Sequence, residues 1–336
     1  MWPDYVESPC RANYTYFWSA EYMRTAYHCT AIFTLPLSLF TFYVIWKVTP
    51  PKMSNMKWPL LISQFWSTNL DLMFTVFIEP VLFYPSNSGL TMGVFDKMGM
   101  GTKWQGYCGQ VSIMMMGIGF ICLFENRHSQ IATTNFKLKT PLARGIYFGI
   151  NYLIAFTIIL PFYLTPTDQI KYRQSVLRMI PCPTIEFYDS RTYVLLTHDG
   201  EIDLYFFFSI TIATSGVLFQ GLFFVIHTLM HLFKVDTCKV SQATKTLQRK
   251  FLNCVVMQFS IPTIAILIPI VYECIAHELK YFNQAINNNA MLFMTNHGLI
   301  ATSCTLFIYK PYRDFIKHAV FRRPVMVTPV LDASKI

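Results

Sequence analysis

Charge is what this sequence has least of. Only 13% of its 336 residues are Asp, Glu, Lys or Arg, while 53% are hydrophobic and 16% aromatic. An ordinary soluble domain carries roughly 25% charged residues, so most of this chain's surface is not built to face water. The shortage is uneven. Seven stretches, at 26–46, 58–78, 107–124, 145–164, 204–233, 251–276 and 288–309, contain no Lys or Arg at all. Each is close to the roughly 20 mainly apolar residues that a membrane-crossing helix needs. The expected fold is therefore an all-α membrane protein, a bundle of seven transmembrane helices embedded in a lipid bilayer.

Other absences narrow the function. The nine cysteines never fall in a C-x-x-C pattern, which argues against a structural zinc site. His227 and His231 have a metal-capable i,i+4 spacing, but no carboxylate lies between them, and no metal is expected there. No nucleophile–base arrangement and no glycine-rich phosphate loop is present, so neither an enzyme nor a cofactor is expected. Residues 1–25 hold Asp4, Glu7, Arg11, Glu21 and Arg24, which leaves no apolar core for a cleavable leader. The first apolar run is then expected to direct its own insertion. No internal repeat is evident, which disfavours the repeat-built transporters. The net charge of +9 would suit nucleic acid if it formed one basic face. Instead the basic residues sit in short clusters between apolar runs, a membrane pattern, and no nucleic-acid partner is expected.

Orientation follows from those clusters. Segments 47–57, 125–144, 234–250 and 310–336 together hold 18 Lys and Arg. Segments 1–25, 79–106, 165–203 and 277–287 are longer in total and hold 9. Basic residues mark the cytoplasmic side, so the N-terminus is expected outside and the C-terminal tail from 310 inside. Asn13-Tyr-Thr15 is the one glycosylation sequon and agrees, because glycosylation requires the secretory lumen. The loop 165–203 is too long for a plain connector, so it is expected to be a lid or partly mobile. After the last run, Pro311 is expected to begin an amphipathic helix over 311–323, with Tyr312, Phe315, Ile316, Ala319 and Val320 on one face.

Several ordered motifs then narrow the class. They include Phe65-Trp-Ser-Thr-Asn-Leu-Asp71-Leu in the second run and Phe124-Glu-Asn-Arg127 ending the third. Thr246-Leu-Gln-Arg-Lys-Phe-Leu252, Ser260-Ile-Pro262 and Ile268-Pro-Ile270 mark the sixth. Tyr281-Phe-Asn-Gln-Ala-Ile-Asn287, His297-Gly-Leu and Lys310-Pro-Tyr-Arg313 frame the seventh. From about Cys10 to Phe315 the chain resembles the nematode serpentine chemoreceptors of class H (Srh). His128 stands where that pattern has an aromatic residue, and the tail after Phe321 matches nothing. The resemblance implies a chemosensory G-protein-coupled receptor in the plasma membrane of ciliated sensory neurons. Its partners would be a small-molecule ligand and a heterotrimeric G protein. The alternative is a seven-helix ligand-gated ion channel or transporter subunit.

Candidate residues follow from that frame. Glu125 and Arg127, at the cytoplasmic end of the third run, resemble the acid–Arg motif of rhodopsin-like receptors and are expected to form an inner lock. Lys245, Arg249 and Lys250 lead into the sixth run, where Pro262 and Pro269 permit kinks; together they suggest a swinging arm that couples to the G protein. Asp71 is costly inside a membrane, and at its depth it is expected to meet Asn296 and His297 in a polar cluster that serves switching, packing or ligand contact. On the outside Cys10, Cys108 and Cys182 can meet in an oxidising compartment. Rhodopsin-like geometry would pair Cys108 with Cys182, whereas the class H pattern implies Cys10 with Cys182.

Overall fold

The computed structural model describes residues 15–131, 137–180, 182–196, 201–234 and 242–320. Asn13, Cys10 and the tail from residue 321 lie outside the described residues. Helix α1 (Ala20–Val48) is started by Ser19, whose side chain accepts from the Tyr22 amide; such a cap is worth about 1 kcal/mol. Helix α2 (Ser54–Leu72) passes directly into a π turn, Met73–Phe77. Strands β1 (Pro80–Leu82) and β2 (Asn87–Thr91) and the short α3 (Val94–Lys97) lead into α4 (Thr102–Ile131). Next come α5 (Pro141–Thr157), capped by Thr140, then α6 (Leu160–Leu164) and α7 (Gln169–Met179), capped by Asp168. Strand β3 (Tyr193–Leu196), α8 (Glu201–Lys234) and α9 (Gln242–Leu279) follow. The described residues end in α10 (Gln284–Thr295), capped by Asn283, then α11 (His297–Ile308) and α12 (Lys310–Val320).

Among the described residues, five helical stretches are long and apolar enough to cross a membrane: Ala20–Val48, Thr102–Gln130, Pro141–Leu164, Leu204–His231 and Gln284–Ile308. Their outward faces are apolar, with Ile32, Phe33, Leu39, Leu153, Ile212 and Phe219 all exposed. Meanwhile Gln64, Ser67, Asp71, Thr302 and His297 are buried. Apolar outside and polar inside is the arrangement of a chain solvated by lipid, and this is a multi-pass membrane protein. The third apolar run sits at the centre: α4 packs against α2, α5, α8 and α9, and 67% of its spanning window is buried, against 11% for α8. Gly119 lets α2 approach α4, since a Cβ there would lie 3.2 Å from the Ser63 Cα.

Three features depart from the sequence expectation. The fold is not all-α, because the loops after α2 and before α8 pair into an antiparallel sheet of order β1-β2-β3. Pro80 faces Thr91 and Asn87 faces Leu196, with one register irregularity at Asn87/Ser88. The long loop is thereby fastened as a lid: Gln169 in α7 donates to the Val194 carbonyl and accepts from the Val194 amide, imitating one more strand. The third run is longer than 107–124, since α4 continues past the apolar residues through Glu125 to Ile131. The seventh run is interrupted at Asn296.

Candidate functional site

Chemistry-bearing residues gather at three levels along the bundle. At the sheet end, a cavity of about 290 Å3 lies between the β1–β2 hairpin, α4, α8 and α9. The hairpin is held in place by the amide-rich start of α10. Gln284 donates to the Leu82 carbonyl, and Asn287 donates to the Tyr84 carbonyl while accepting from the Tyr272 hydroxyl. Asn288 ties the same turn to the Phe17 carbonyl. Tyr84 is thus aimed inward, where its side chain hydrogen-bonds Glu273 of α9. Burial, reinforced by the Glu273 charge, pushes the Tyr84 phenol well above its ordinary value, so Tyr84 stays protonated and donates. His277, one turn after Glu273, also lines the cavity and stacks on Phe207 with ring centroids 6.3 Å apart.

Outside that cavity the lid is pinned by charge. Arg191 Nη1 lies 2.7 Å from Asp96 Oδ2, and its Nη2 lies 2.6 Å from Asp189 Oδ2. The hydrogen bonds from Arg191 hold the Asp189 carboxyl below its usual range. Glu79, at the turn out of α2, receives His28 Nε2 at 3.0 Å and Arg24 Nε at 3.7 Å.

In the middle of the bundle, Asp71 and His297 do meet: His297 Nδ1 is 3.5 Å from Asp71 Oδ1. The closer partner of that nitrogen is the Met294 carbonyl at 2.9 Å. The Asp71 carboxylate also packs against Gly298, two residues past the interruption at Asn296. Asn296 itself is not part of the pair, because its side chain donates to the Leu292 carbonyl of its own helix. Gln64 and Thr302 add a second polar link between α2 and α11, at 2.9 Å. The π turn begins two residues after Asp71, and Thr75 in it donates back to the Asp71 carbonyl.

At the far end, Glu125 and Arg127 do not pair. Residues two apart on a helix face different ways, and Glu125-Asn-Arg127 fans out accordingly. Glu125 accepts from Arg144 of α5 at 3.0 Å and from Ser129 at 3.2 Å. Asn126 donates to the Asn55 carbonyl at the start of α2. Arg127 donates to Gln130 and faces Tyr309 and Cys254. Tyr309 in turn packs on Tyr312, whose hydroxyl lies 2.7 Å from Thr49 Oγ1. The expected amphipathic stretch 311–323 is described only as far as α12 ends, at Val320; there Tyr312 is fully buried, Arg313 and Lys317 are exposed, and Ala319, expected on the apolar face, is exposed as well. Pro262 and Pro269 both fall within α9, and Arg249 is exposed near its start; the side chains of Lys245 and Lys250 lie outside the described residues. His128 packs beside His227, Nε2 to Nδ1 at 2.7 Å, with His231 next in line.

Among the cysteines, Cys108 is a free thiol, so its pairing with Cys182 is absent. The sequence reading passed over Glu273, Tyr84 and Arg144. For Glu273 the signal was there, an acid inside a run free of Lys and Arg. For the other two it was not, because their partners come from distant elements.

Residues 18–322 match the family described as serpentine type 7TM GPCR chemoreceptor Srh. Serpentine receptor class H-72 of Caenorhabditis elegans is 27% identical over 303 residues, 90% of this chain and 86% of that protein.

Proposed function

The chain belongs to the Srh family of serpentine seven-transmembrane chemoreceptors, and from that premise we propose that it binds a small-molecule cue at the sheet end and activates a heterotrimeric G protein at the α12 end. The observation that carries this reading is the sheet-end cavity itself, a space lined by apolar and aromatic residues with a few polar groups, which is the make-up of a small-molecule site. We read the seven apolar runs as seven spans, counting α2 with its π turn, α9, and α10 with α11. The N-terminus is outside by the basic-residue asymmetry, so the cavity opens outward. A plasma-membrane location, in sensory cilia, and glycosylation at Asn13 belong to the same reading.

The middle and far levels supply the switch. A ligand shifts a bundle only by its preference for one arrangement. Asp71 against Gly298 and the interrupted α10–α11 junction form the element whose two packings differ. At the far end Arg127 joins α4 to the α11–α12 junction, and its neighbours would rearrange when α9 swings about Pro262 and Pro269. Lys245, Arg249 and Lys250 then meet the acidic surface of the partner. Cys182 is bonded while Cys108 is free, which supports the bridge from Cys182 to Cys10 that tethers the lid to the N-terminal segment.

The test is to express the chain in one cell line and record G-protein activation and ion current side by side, against a panel of volatile and water-soluble cues. The expected result is a cue-dependent G-protein signal without a receptor-dependent current. A cue-gated current that persists when G proteins are blocked would instead make the chain a channel subunit.

A further inference from the structure

The cavity at the sheet end is lined by one acid, Glu273, and by the basic side chains Lys103 and His277. Every cation named at that end is engaged elsewhere. Arg24 and His28 go to Glu79, and Arg191 goes to Asp96 and Asp189. His277 Nδ1 lies 4.0 Å from Glu278 Oε1. Lys103 reaches the Thr165 carbonyl at 3.2 Å and lies beside the Trp104 and Tyr193 rings. Glu273 faces the cavity with the Tyr84 side chain as its hydrogen-bond partner. Among the described residues no Lys, Arg or His forms an ion pair with it.

A carboxylate taken from water into an apolar enclosure is costly unless a positive charge meets it. Tyr84 supplies one donor, fewer than a carboxylate can accept. The cavity walls include the aromatic side chains Phe206, Phe207, Tyr163 and Tyr193, and aromatic rings attract a cation. An acid that accepts from a tyrosine, set in an aromatic enclosure, is built to receive an N–H-bearing positive group and to repel an anion. The volume of about 290 Å3 stands at the small end of ligand cavities, which run from roughly 300 to 1,000 Å3.

We infer that this cavity recognises a small organic amine in its protonated form, with Glu273 as the counter-ion, Tyr84 as the residue that orients the carboxylate, and the aromatic walls covering the carbon skeleton. The inference deepens the reading of the cavity as the ligand site and rests on it.

The experiment uses the full chain in lipid nanodiscs and isothermal calorimetry. The probes are a panel of alkylamines and arylalkylamines, phenethylamine among them. Each is paired with its neutral alcohol and its carboxylic-acid analogue of matching skeleton. The unmutated chain is expected to bind at least one amine roughly tenfold or more tightly than its alcohol, and to reject the acid. Glu273→Gln should lose the amine preference while still binding the alcohol, which also shows that the variant is folded. Tyr84→Phe should weaken amine binding less. The inference is overturned if no amine surpasses its alcohol, or if E273Q binds the amine as the parent does. The ligand series on the unmutated chain decides the matter even if E273Q does not fold. Amine binding that depends on Glu273 without any G-protein activation would keep this inference and remove the coupling reading. Binding of alcohols and amines alike would keep the cavity as a ligand site and remove the amine.

Discussion

Asp71 and Gly298 are packed so closely that the place of a side chain on residue 298 is already occupied by the carboxylate of residue 71. A Cβ built at 298 would lie 1.7 Å from Asp71 Oδ2 and 2.0 Å from Oδ1. Both residues are buried. A single methyl at 298 therefore evicts the group that holds α2 to α11.

Gly298→Ala is expected to lower the thermal stability of the purified chain by an amount corresponding to roughly 1–3 kcal/mol, the usual cost of overpacking. Removing the carboxylate makes room for the methyl, so Asp71→Ala combined with Gly298→Ala should be more stable than the sum of the two single effects predicts. Strict additivity in a thermal-melt cycle would show that the two residues do not compete for the same space.

Glu125 depends on Arg144 rather than on Arg127. Arg144→Ala strips a buried acid of its cation, and because the Arg144 side chain is partly exposed the loss is expected near 1–3 kcal/mol, below that of a fully buried pair. Glu125→Gln with Arg144→Gln should recover part of it. Thermal melts of the four proteins measure this, and equal stability of R144A and the parent would refute the pairing.

Peptide mapping of the unreduced protein is expected to find Cys182 joined to Cys10 and Cys108 alkylated as a free thiol. A Cys108–Cys182 peptide would contradict the structure, and a freely alkylated Cys182 would remove the proposed tether.

The lid has a defined acid limit. Arg191 lowers the folded-state pKa of Asp189 from its ordinary value of 3.8. A depressed carboxyl contributes stability above the unfolded value and loses it as pH falls through the folded one. Asp189→Asn should therefore be less stable than the parent at pH 7, with the difference shrinking once the pH drops below 3.8 toward the lowered folded value. A difference that stays constant into strong acid would mean that the Asp189 charge contributes nothing to the lid.

The helices were legible because lipid imposes one simple rule, that runs without Lys or Arg cross the bilayer, and because Ser19, Thr140, Asp168 and Asn283 cap helices by local chemistry alone. The sheet was not legible. Its strands are three to five residues long, and β3 joins β2 only after more than a hundred intervening residues. Asp71 meeting His297 could be inferred from depth, since both sit at the same level of two antiparallel neighbours. The direction of each side chain could not, which is why Asn296 was grouped with them and Arg127 was assigned to Glu125. In the Tyr281–Asn287 stretch the residues were visible as a motif, but their task of fastening the Leu82–Tyr84 turn appears only when the two segments meet.

Coupling between the two ends is the central claim, and one measurement tests it most directly. Dose–response curves for G-protein activation are recorded on cells carrying the parent chain, Arg127→Ala, or Lys245, Arg249 and Lys250 replaced together by Gln. Surface level and cue binding are measured on the same cells. Arg127→Ala removes the planar donor between α4 and the α11–α12 junction, and the triple replacement weakens contact with an acidic partner, more so at raised salt. Both variants are expected to bind the cue as the parent does and to shift or lose the activation curve. If both reach the surface normally, bind the cue and activate with an unchanged dose–response, the far end of the bundle is not where this chain meets a G protein.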